Sequence, residues 1–291
     1  LYQPDDRSGR LYLDTGAVLG TKVSVEAYAQ QRRFYENKNQ IEDSRELALQ
    51  LVRPLGRSTT ARLYLRHFTT HVFQIDPDPF LPLDTKFVVP YLGAQLVRDT
   101  RDDAIDPRVG RFASLDLSGS GGWLGSDFEY LRLFAQGSAY RPLALAGRSV
   151  TWAQALRVGY AHPFAGQALL RQERFFAGGP ISVRGYDRES LGPQEHLGTE
   201  FARPLGGEAM LVLNEELRFP LPWDLTGLVF FDAGQVWARP ADADFDLAKS
   251  LGLGLRARTP LGLLRFDAAY PLDRRPGDAA YALYLGFGNA F

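Results

Sequence analysis

Period-two alternation of apolar and polar residues recurs along the whole chain. The segment at 250–259, "SLGLGLRART", places three leucines and Ala257 at alternate positions, with glycine or arginine between them. The segment "LRFDAAY" repeats the pattern, with Arg265 and Asp267 alternating with Leu264 and Phe266. Successive side chains of a β-strand point to opposite faces of the sheet. Each segment therefore predicts a strand with one apolar face and one polar face.

Continued along the sequence, this alternation predicts an all-β fold. Tight turns such as "LGTK" and "FPLPWD" alternate with longer polar connections such as "QIDPDPFLPLD". Short turns at one end of a sheet and long loops at the other are typical of an outer-membrane β-barrel. The predicted strands are thirteen, near 10–19, 22–35, 44–54, 59–72, 86–98, 109–120, 126–139, 150–162, 207–219, 225–237, 249–259, 263–270 and 280–291.

A large soluble β-sandwich is the alternative, because its strands also alternate and are separated by frequent turns. The two architectures differ in the face that they bury. A sandwich buries its apolar face, whereas a membrane barrel turns that face to lipid and keeps polar side chains inside. Arginine and aspartate opposite the leucines favour a transmembrane antiparallel barrel with a wet interior.

Composition narrows the function classes. The chain has 291 residues, no cysteine and a net charge of -1, so a disulfide framework, a cysteine metal site and a basic nucleic-acid surface are excluded. The sequence lacks the roughly 18 consecutive apolar residues that a membrane-spanning helix needs. The four histidines show no metal-ligand spacing, and no nucleotide-binding or nucleophile motif is present. We expect no metal, no cofactor, no nucleic-acid partner and no enzymatic activity.

The segment "DTRDDAIDPRVG" is the one acid-rich stretch that suggests calcium. It lacks the ordered ligand positions and the glycine of a calcium-binding loop. We therefore interpret it as a solvated turn.

A long loop at 163–206 interrupts the strand pattern. It contains "RFFAGGPISVRGYDRESLGP", which is rich in glycine, proline and arginine. Loops of this length inside compact folds are uncommon and are usually functional or disordered. Together with "FFDAGQVW" and the C-terminal "YLGFGNAF", this stretch resembles the outer-membrane insertase and transporter superfamily typified by BamA and TamA. The resemblance extends from about Tyr91 to Phe291.

The resemblance implies a role for the tetrapeptide Val183, Arg184, Gly185 and Tyr186. In that superfamily the loop folds from outside into the barrel, and its arginine meets acidic residues on two following strands. Here those residues would be Glu216 in "NEELRFP" and Asp232 in "FFDAG". A guanidinium withdrawn from bulk water requires a carboxylate partner, and a glycine beside it permits an unusual backbone turn.

The last segment resembles the C-terminal targeting signal of outer-membrane proteins. We expect its apolar residues to share one face of a strand over 280–291 and two glycines, Gly286 and Gly288, to lie on the other face, at a weakly closed seam. The signal residues would be Tyr281, Leu283, Leu285, Phe287 and Phe291.

Glu215 departs from the alternation. It falls on the same face as Leu213 and Leu217, where a charge facing lipid is expensive. A position near a membrane interface, or a bulge that shifts the register, would explain it.

By resemblance, residues 1–291 form one outer-membrane barrel that inserts or translocates other proteins through a lateral seam and a gated pore. The superfamily has sixteen strands, so we expect three strands, and the periplasmic domains upstream of them, to be missing from the N-terminus. The expected partners are outer-membrane lipids and unfolded or secreted client proteins. A two-partner secretion transporter, the membrane anchor of a patatin-like lipase and a passive porin are the alternatives.

Overall fold

A computed structural model describes residues 7–18, 21–33, 40–74, 84–145, 147–197, 201–260, 262–274 and 279–291. Strands dominate, with three single-turn 3-10 helices between them. The strands are β1 (Arg7–Val18), β2 (Thr21–Arg33), β3 (Gln40–Pro54), β4 (Thr59–Gln74), β5 (Asp84–Asp99), β6 (Gly110–Ser120), β7 (Tyr130–Leu145), β8 (Arg148–Pro163), β9 (Gln194–Leu197), β10 (Phe201–Pro204), β11 (Ala209–Pro220), β12 (Leu225–Trp237), β13 (Ala248–Thr259), β14 (Gly262–Pro271) and β15 (Ala282–Phe287).

Thirteen of these strands form one sheet, in the order β1 to β8 and then β11 to β15. Each corresponds to one of the thirteen predicted strands, and the pairs with a described register are antiparallel. The short strands β9 and β10 pair only with each other within the described sheets. β8 therefore pairs directly with β11, and the chain between them forms the long loop.

The sheet buries polar side chains and exposes apolar ones. In β13, Leu253 is 63% exposed, whereas Arg256 on the opposite face is 1% exposed. The largest fully buried side chains include Arg184, Arg256 and Glu216. A soluble sandwich would show the reverse arrangement, so the sandwich alternative is wrong. Among the described residues, no helix is long and apolar enough to cross a membrane.

The described chain divides into two compact units. The first comprises Leu1–Leu96, Asp116–Leu131 and Pro163–Ala168. Within it, β3 and β4 pair in continuous register from Gln40↔Gln74 to Pro54↔Thr60. Tyr64 donates a hydrogen bond of 2.8 Å to the Asp116 carboxylate, and its ring occupies the space beside Gly93 that a side chain would need. Ser44 and Ser120 are buried and also hydrogen-bonded, so polar side chains lie on the buried face of this unit.

The second unit comprises Val97–Leu115, Arg132–His162 and Leu169–Phe291. It contains most of the long loop and all of β11 to β15. Leu228, Phe230 and Ala269 form a buried apolar cluster against which Tyr284 packs. The sequence-predicted loop arginine lies beside this cluster, so the second unit holds the candidate site.

Candidate functional site

The loop approaches β11 to β14 through a conformation that requires glycine. Gly185 has a φ of +95°, in the region that residues with a side chain rarely adopt. A Cβ at this position would lie 3.2 Å from the Pro271 nitrogen and 3.3 Å from the Ser250 Cβ. Both the backbone angle and the close approach to β13 and β14 therefore exclude a larger residue without strain.

Arg184 is fully buried and contacts three acidic residues. Its Nε and Nη2 donate to the two Asp232 carboxylate oxygens at 2.7 and 2.9 Å. Its Nη1 donates to Glu216 Oε1 at 2.8 Å and to Asp267 Oδ2 at 3.5 Å. The Arg184 backbone N–H also donates to Asp232, at 3.1 Å. This bidentate geometry is the strong form of the arginine–carboxylate pair, and it joins the loop to β11, β12 and β14.

The guanidinium also lies over an aromatic ring, with the Arg184 Cζ 3.4 Å from the centroid of Phe230. Burial acts to lower the pKa of Arg184, but Glu216 and Asp232 outweigh burial, so the pKa is raised above its usual range. Arg184 is consequently charged throughout the working pH range.

Further arginines neutralise the acids from the other side. Arg218 Nε donates to Glu216 Oε2 at 2.9 Å, and Arg256 Nη1 donates to Asp267 Oδ1 at 2.6 Å. Asn214 Nδ2 donates both to Asp232 Oδ1, at 2.8 Å, and to the loop carbonyl of Ser182, at 2.6 Å. We call Arg184, Arg218, Arg256, Asn214, Glu216, Asp232 and Asp267 the buried polar network.

The network brings together the two expected partners of Arg184 and adds a third, Asp267, that sequence reasoning did not assign to it. Alternation had placed Asp267 and Arg256 on the polar faces of neighbouring strands, and this was the one sequence feature that could have indicated Asp267. The register pairs Gly254 with Asp267, so Asp267 lies beside a residue that has no side chain to cover it.

The other members of the tetrapeptide make their own contacts. Val183 is fully buried against the small Gly234 of β12. The Tyr186 hydroxyl donates to the Lys249 carbonyl at 2.9 Å, and the Tyr186 carbonyl accepts from the Tyr284 hydroxyl at 3.2 Å. Val183 thus fixes the loop to β12, and Tyr186 fixes it to β13 and β15.

The C-terminal segment differs from the expectation. Tyr281, Leu283, Leu285 and Phe287 are exposed on one side, as expected, but β15 ends at Phe287. Gly288 adopts a φ of +79° and turns the chain, so it lies outside the strand.

Beyond Gly288 the chain turns towards the side chains of Tyr140 on β7 and Arg218 on β11. Phe291 stacks on Tyr140 with ring centroids 6.4 Å apart and lies 5.6 Å from the Arg218 Cζ. Asn289 Nδ2 donates to the Ile105 carbonyl at 2.8 Å. The prediction that Phe291 shares the face of Leu285 was wrong, because one left-handed glycine changes the direction of the last three residues. Gly286 stays in β15 opposite Arg265.

Glu215 keeps the alternating register. The pairings of β11 with β8 and with β12 are continuous across this position, so the bulge explanation is wrong. Its carboxylate accepts hydrogen bonds from Trp152 Nε1 at 2.7 Å and Gln154 Nε2 at 2.9 Å. Two donors on β8 therefore offset part of the cost of a charge on the apolar face.

The acid-rich segment forms the connection between β5 and β6. Asp103 Oδ1 accepts from the backbone N–H groups of Ile105 and Asp106, at 2.7 and 3.0 Å. Asp102 Oδ1 accepts from those of Arg108 and Val109. The two carboxylates therefore stabilise the turn by accepting hydrogen bonds from its own backbone. Within the described ranges, no group of three or more histidine, aspartate or glutamate side chains could hold a metal ion.

Comparison with known proteins supports one family. A family model described as "Omp85 superfamily domain" matches residues 10–291. The outer membrane protein assembly factor BamA of Nitratidesulfovibrio vulgaris is 29% identical over 269 residues, which is 85% of this chain and 31% of that protein. The chain therefore spans about a third of the length of this relative.

Solved structures share the fold. A crystal structure of BamA from Haemophilus ducreyi lacking POTRA domains 1–3 has a TM-score of 0.80 at 18% identity, covering 96% of this chain and 61% of that one. CdiB from Acinetobacter baumannii has a TM-score of 0.62 at 18% identity, covering 96% and 49%.

Proposed function

Since this chain belongs to the Omp85 superfamily, an outer-membrane family, we propose that it is the membrane-embedded β-barrel of a protein-assembly factor. Its clients are other polypeptides destined for the outer membrane. The proposed activity makes and breaks no covalent bonds, so it requires no catalytic residue or cofactor.

The observation that carries the proposal is the buried contact of the loop with three strands. Arg184 is held by Asp232 on β12, Glu216 on β11 and Asp267 on β14. In a barrel the buried face of these strands is the lumen, so the loop is a strut pinned inside the pore. The strut holds β11, β12 and β14 through the charged contacts of Arg184. It holds β15 only through the neutral hydrogen bonds of Tyr284 with Gly185 and Tyr186, which are weaker than charge-assisted ones, so β15 is the strand that can move.

The proposed mechanism uses the edge of β15. Among the described strands, β15 has β14 as its neighbour in the sheet, and six residues of each strand take part in that pairing. Unpaired N–H and C=O groups along such an edge can template an incoming strand by β-augmentation. Most proteins suppress edge pairing because it leads to aggregation. Here the edge of β15 forms one side of a lateral seam, and Gly286 has no side chain that could pack across this seam.

A two-partner secretion transporter is the second candidate, because the fold of the CdiB structure is also similar. The sequence match favours the assembly factor, since the BamA relative aligns over 85% of the chain. The lipase-anchor and porin alternatives receive no specific support from the described residues.

A disulfide lock tests the lateral seam. In the full-length protein, Leu285→Cys is combined with a cysteine on the strand that closes against β15. We expect oxidation to stop the assembly of a client barrel in lipid vesicles and reduction to restore it. The control pair is Leu253→Cys with Ala268→Cys, which are register partners within the sheet and should have no effect when oxidised. Normal client assembly with the seam locked would contradict lateral opening.

A further inference from the structure

A cavity of about 810 Å³ lies between the loop and the buried faces of β7, β8 and β11. Four arginines line it, namely Arg132, Arg157, Arg174 and Arg188, and the only acid in its lining is Glu189. Arg188 is 85% exposed and lies 3.8 Å from Glu189. Arg132 lies 3.9 Å from the Glu173 carboxylate, so Arg157 and Arg174 are the two arginines that give the cavity an excess of positive charge.

Arg157 and Arg174 are bound to backbone carbonyl groups. Arg157 donates to the Ile181 carbonyl at 2.7 Å and to the Ala290 carbonyl at 3.4 Å. Arg174 donates to the carbonyls of Leu169 and Leu205, at 2.8 and 3.1 Å. Among the described residues, no carboxylate lies within ion-pair distance of either guanidinium. Each guanidinium has five N–H donors, so both retain unused donors.

The buried polar network offers these arginines no direct ion pair, because its three acids already bind other arginines. Besides Arg184, Glu216 pairs with Arg218 and Asp267 pairs with Arg256. Arg265 also lies within ion-pair distance of Asp267, at 3.6 Å. Both Asp232 oxygens accept from Arg184. An uncompensated charge in a partly buried site is costly, and an anionic ligand would remove that cost.

We propose that this cavity binds an acidic segment of a polypeptide. The carboxylate pairs with Arg157, and neighbouring apolar side chains pack against Phe134, Phe176 and Met210, which also line the cavity. Cavities of about 300–1,000 Å³ hold ligands of drug size, comparable to a few residues of peptide. The apolar wall distinguishes this site from a simple phosphate site, since phosphate would leave that wall uncovered.

The cavity adjoins the loop. The carbonyl of Ile181, which Arg157 now holds, lies three residues before Arg184. A peptide carboxylate that binds the unused donors of Arg157 therefore lies beside the segment that leads into the tetrapeptide. The proposal rests on the assembly function only in that a client supplies the acidic segment.

Peptide binding to the purified full-length protein in detergent tests the proposal. The probes are three fluorescein-labelled hexapeptides in which phenylalanine alternates with glutamate, glutamine or lysine, and the readout is fluorescence anisotropy. We expect the glutamate peptide to bind at least about 10-fold more tightly than the glutamine peptide, because hydrogen bonds to charged groups are the stronger class. Equal affinities would overturn the proposal, and this comparison requires no variant to fold.

Two variants locate the site. Arg157→Gln should weaken binding of the glutamate peptide about 10-fold, whereas Arg148→Gln, at the start of the same strand, should leave binding within about two-fold. An unchanged affinity in Arg157→Gln would overturn the assignment to this cavity. Inorganic phosphate serves as the competitor. If it displaces the probe at concentrations similar to the peptide's own Kd, the site takes small oxyanions and the peptide proposal is wrong.

Client insertion is measured separately with the same preparation. Intact peptide binding without any client insertion contradicts the assembly function alone. Intact insertion without selective binding of the glutamate peptide contradicts only the proposal made for this cavity.

Discussion

The tetrapeptide at 183–186 and the segment that begins with β15 both contact several strands of the second unit, but through opposite kinds of interaction. The tetrapeptide is buried and held by charged hydrogen bonds with bidentate geometry. β15 pairs over six residues, and its apolar side chains are largely exposed. Buried charge networks are costly to disrupt at any one member, whereas a short exposed pairing can open at little cost. The difference indicates a fixed strut and a more movable edge strand, which the strut holds only through the neutral hydrogen bonds of Tyr284.

The largest effect should follow from removal of the loop arginine. Arg184→Ala leaves three buried acids short of a partner, and we expect it to lower the free energy of unfolding by about 3–5 kcal/mol. Urea titration of the protein in lipid vesicles measures this loss. The exposed Arg188→Ala serves as the control and should change stability by less than about 0.5 kcal/mol. Equal losses in the two variants would show that the tetrapeptide is not a strut.

Crowding at the glycine beside Arg184 gives the next largest effect. Gly185→Ala adds strain from the positive φ and a contact with Pro271. Gly147→Ala, with a φ of +74° and open space around its Cβ, carries the backbone strain alone. We expect Gly185→Ala to cost about 1–3 kcal/mol more than Gly147→Ala, the usual range for overpacking. The same titration checks this, and equal costs would mean that the loop does not need its close approach to β14.

Removal of one aromatic ring sharpens the comparison at the C-terminal side. Phe291→Leu keeps an apolar side chain but loses the stacking on Tyr140, and we expect a cost of about 0.5–1.5 kcal/mol. Phe287→Leu is the matched control, because Phe287 is exposed and has no ring partner among the described residues. Thermal unfolding in detergent separates the two. A larger loss in Phe287→Leu would place the anchoring contact in β15 and not in the turned-in residues.

The smallest effect concerns the turn that accepts the Asn289 side chain. Backbone N–H groups of Asp106 and Ile105 lower the pKa of the Asp103 carboxyl below its ordinary value of about 3.9. Their stabilising contribution is complete above that ordinary value and is lost as the pH falls through the lower, folded-state pKa.

Asp103→Asn should therefore differ least from the parent protein at the lowest pH. The difference should increase as the pH rises through this window and be constant above it. Thermal unfolding midpoints between pH 3 and pH 6 provide the measurement. A difference that does not vary with pH would show that the Asp103 carboxylate contributes nothing to the turn.

The sequence predicted the sheet well because alternation is a local signal. Each polar–apolar repeat, such as that of β13, is sufficient by itself to define a strand and its two faces. β9 and β10 were missed because four residues each are too few to show a period. The predicted end of β15 was wrong because the sequence does not reveal that Gly288 adopts a positive φ.

The site could be predicted only in part from the sequence. Arg184, Glu216 and Asp232 were recognised through motifs, and their polar faces agreed with the alternation. Asp267 could not be assigned to Arg184 because its proximity depends on the register of β13 with β14. Likewise, the donors to Glu215 lie on β8, more than sixty residues away in sequence, and only the β8–β11 pairing brings them together.

The long sequence separation between Arg184 and its acidic partners affects when these contacts can form during folding. Glu216, Asp232 and Asp267 follow Arg184 by 32, 48 and 83 residues. A loop closed over such separations loses conformational entropy before any contact compensates for it. Arg184 therefore cannot leave water until β12 and β14 exist to receive it. We therefore expect burial of this one guanidinium to be a late step of folding, one that follows the pairing of β11, β12 and β14.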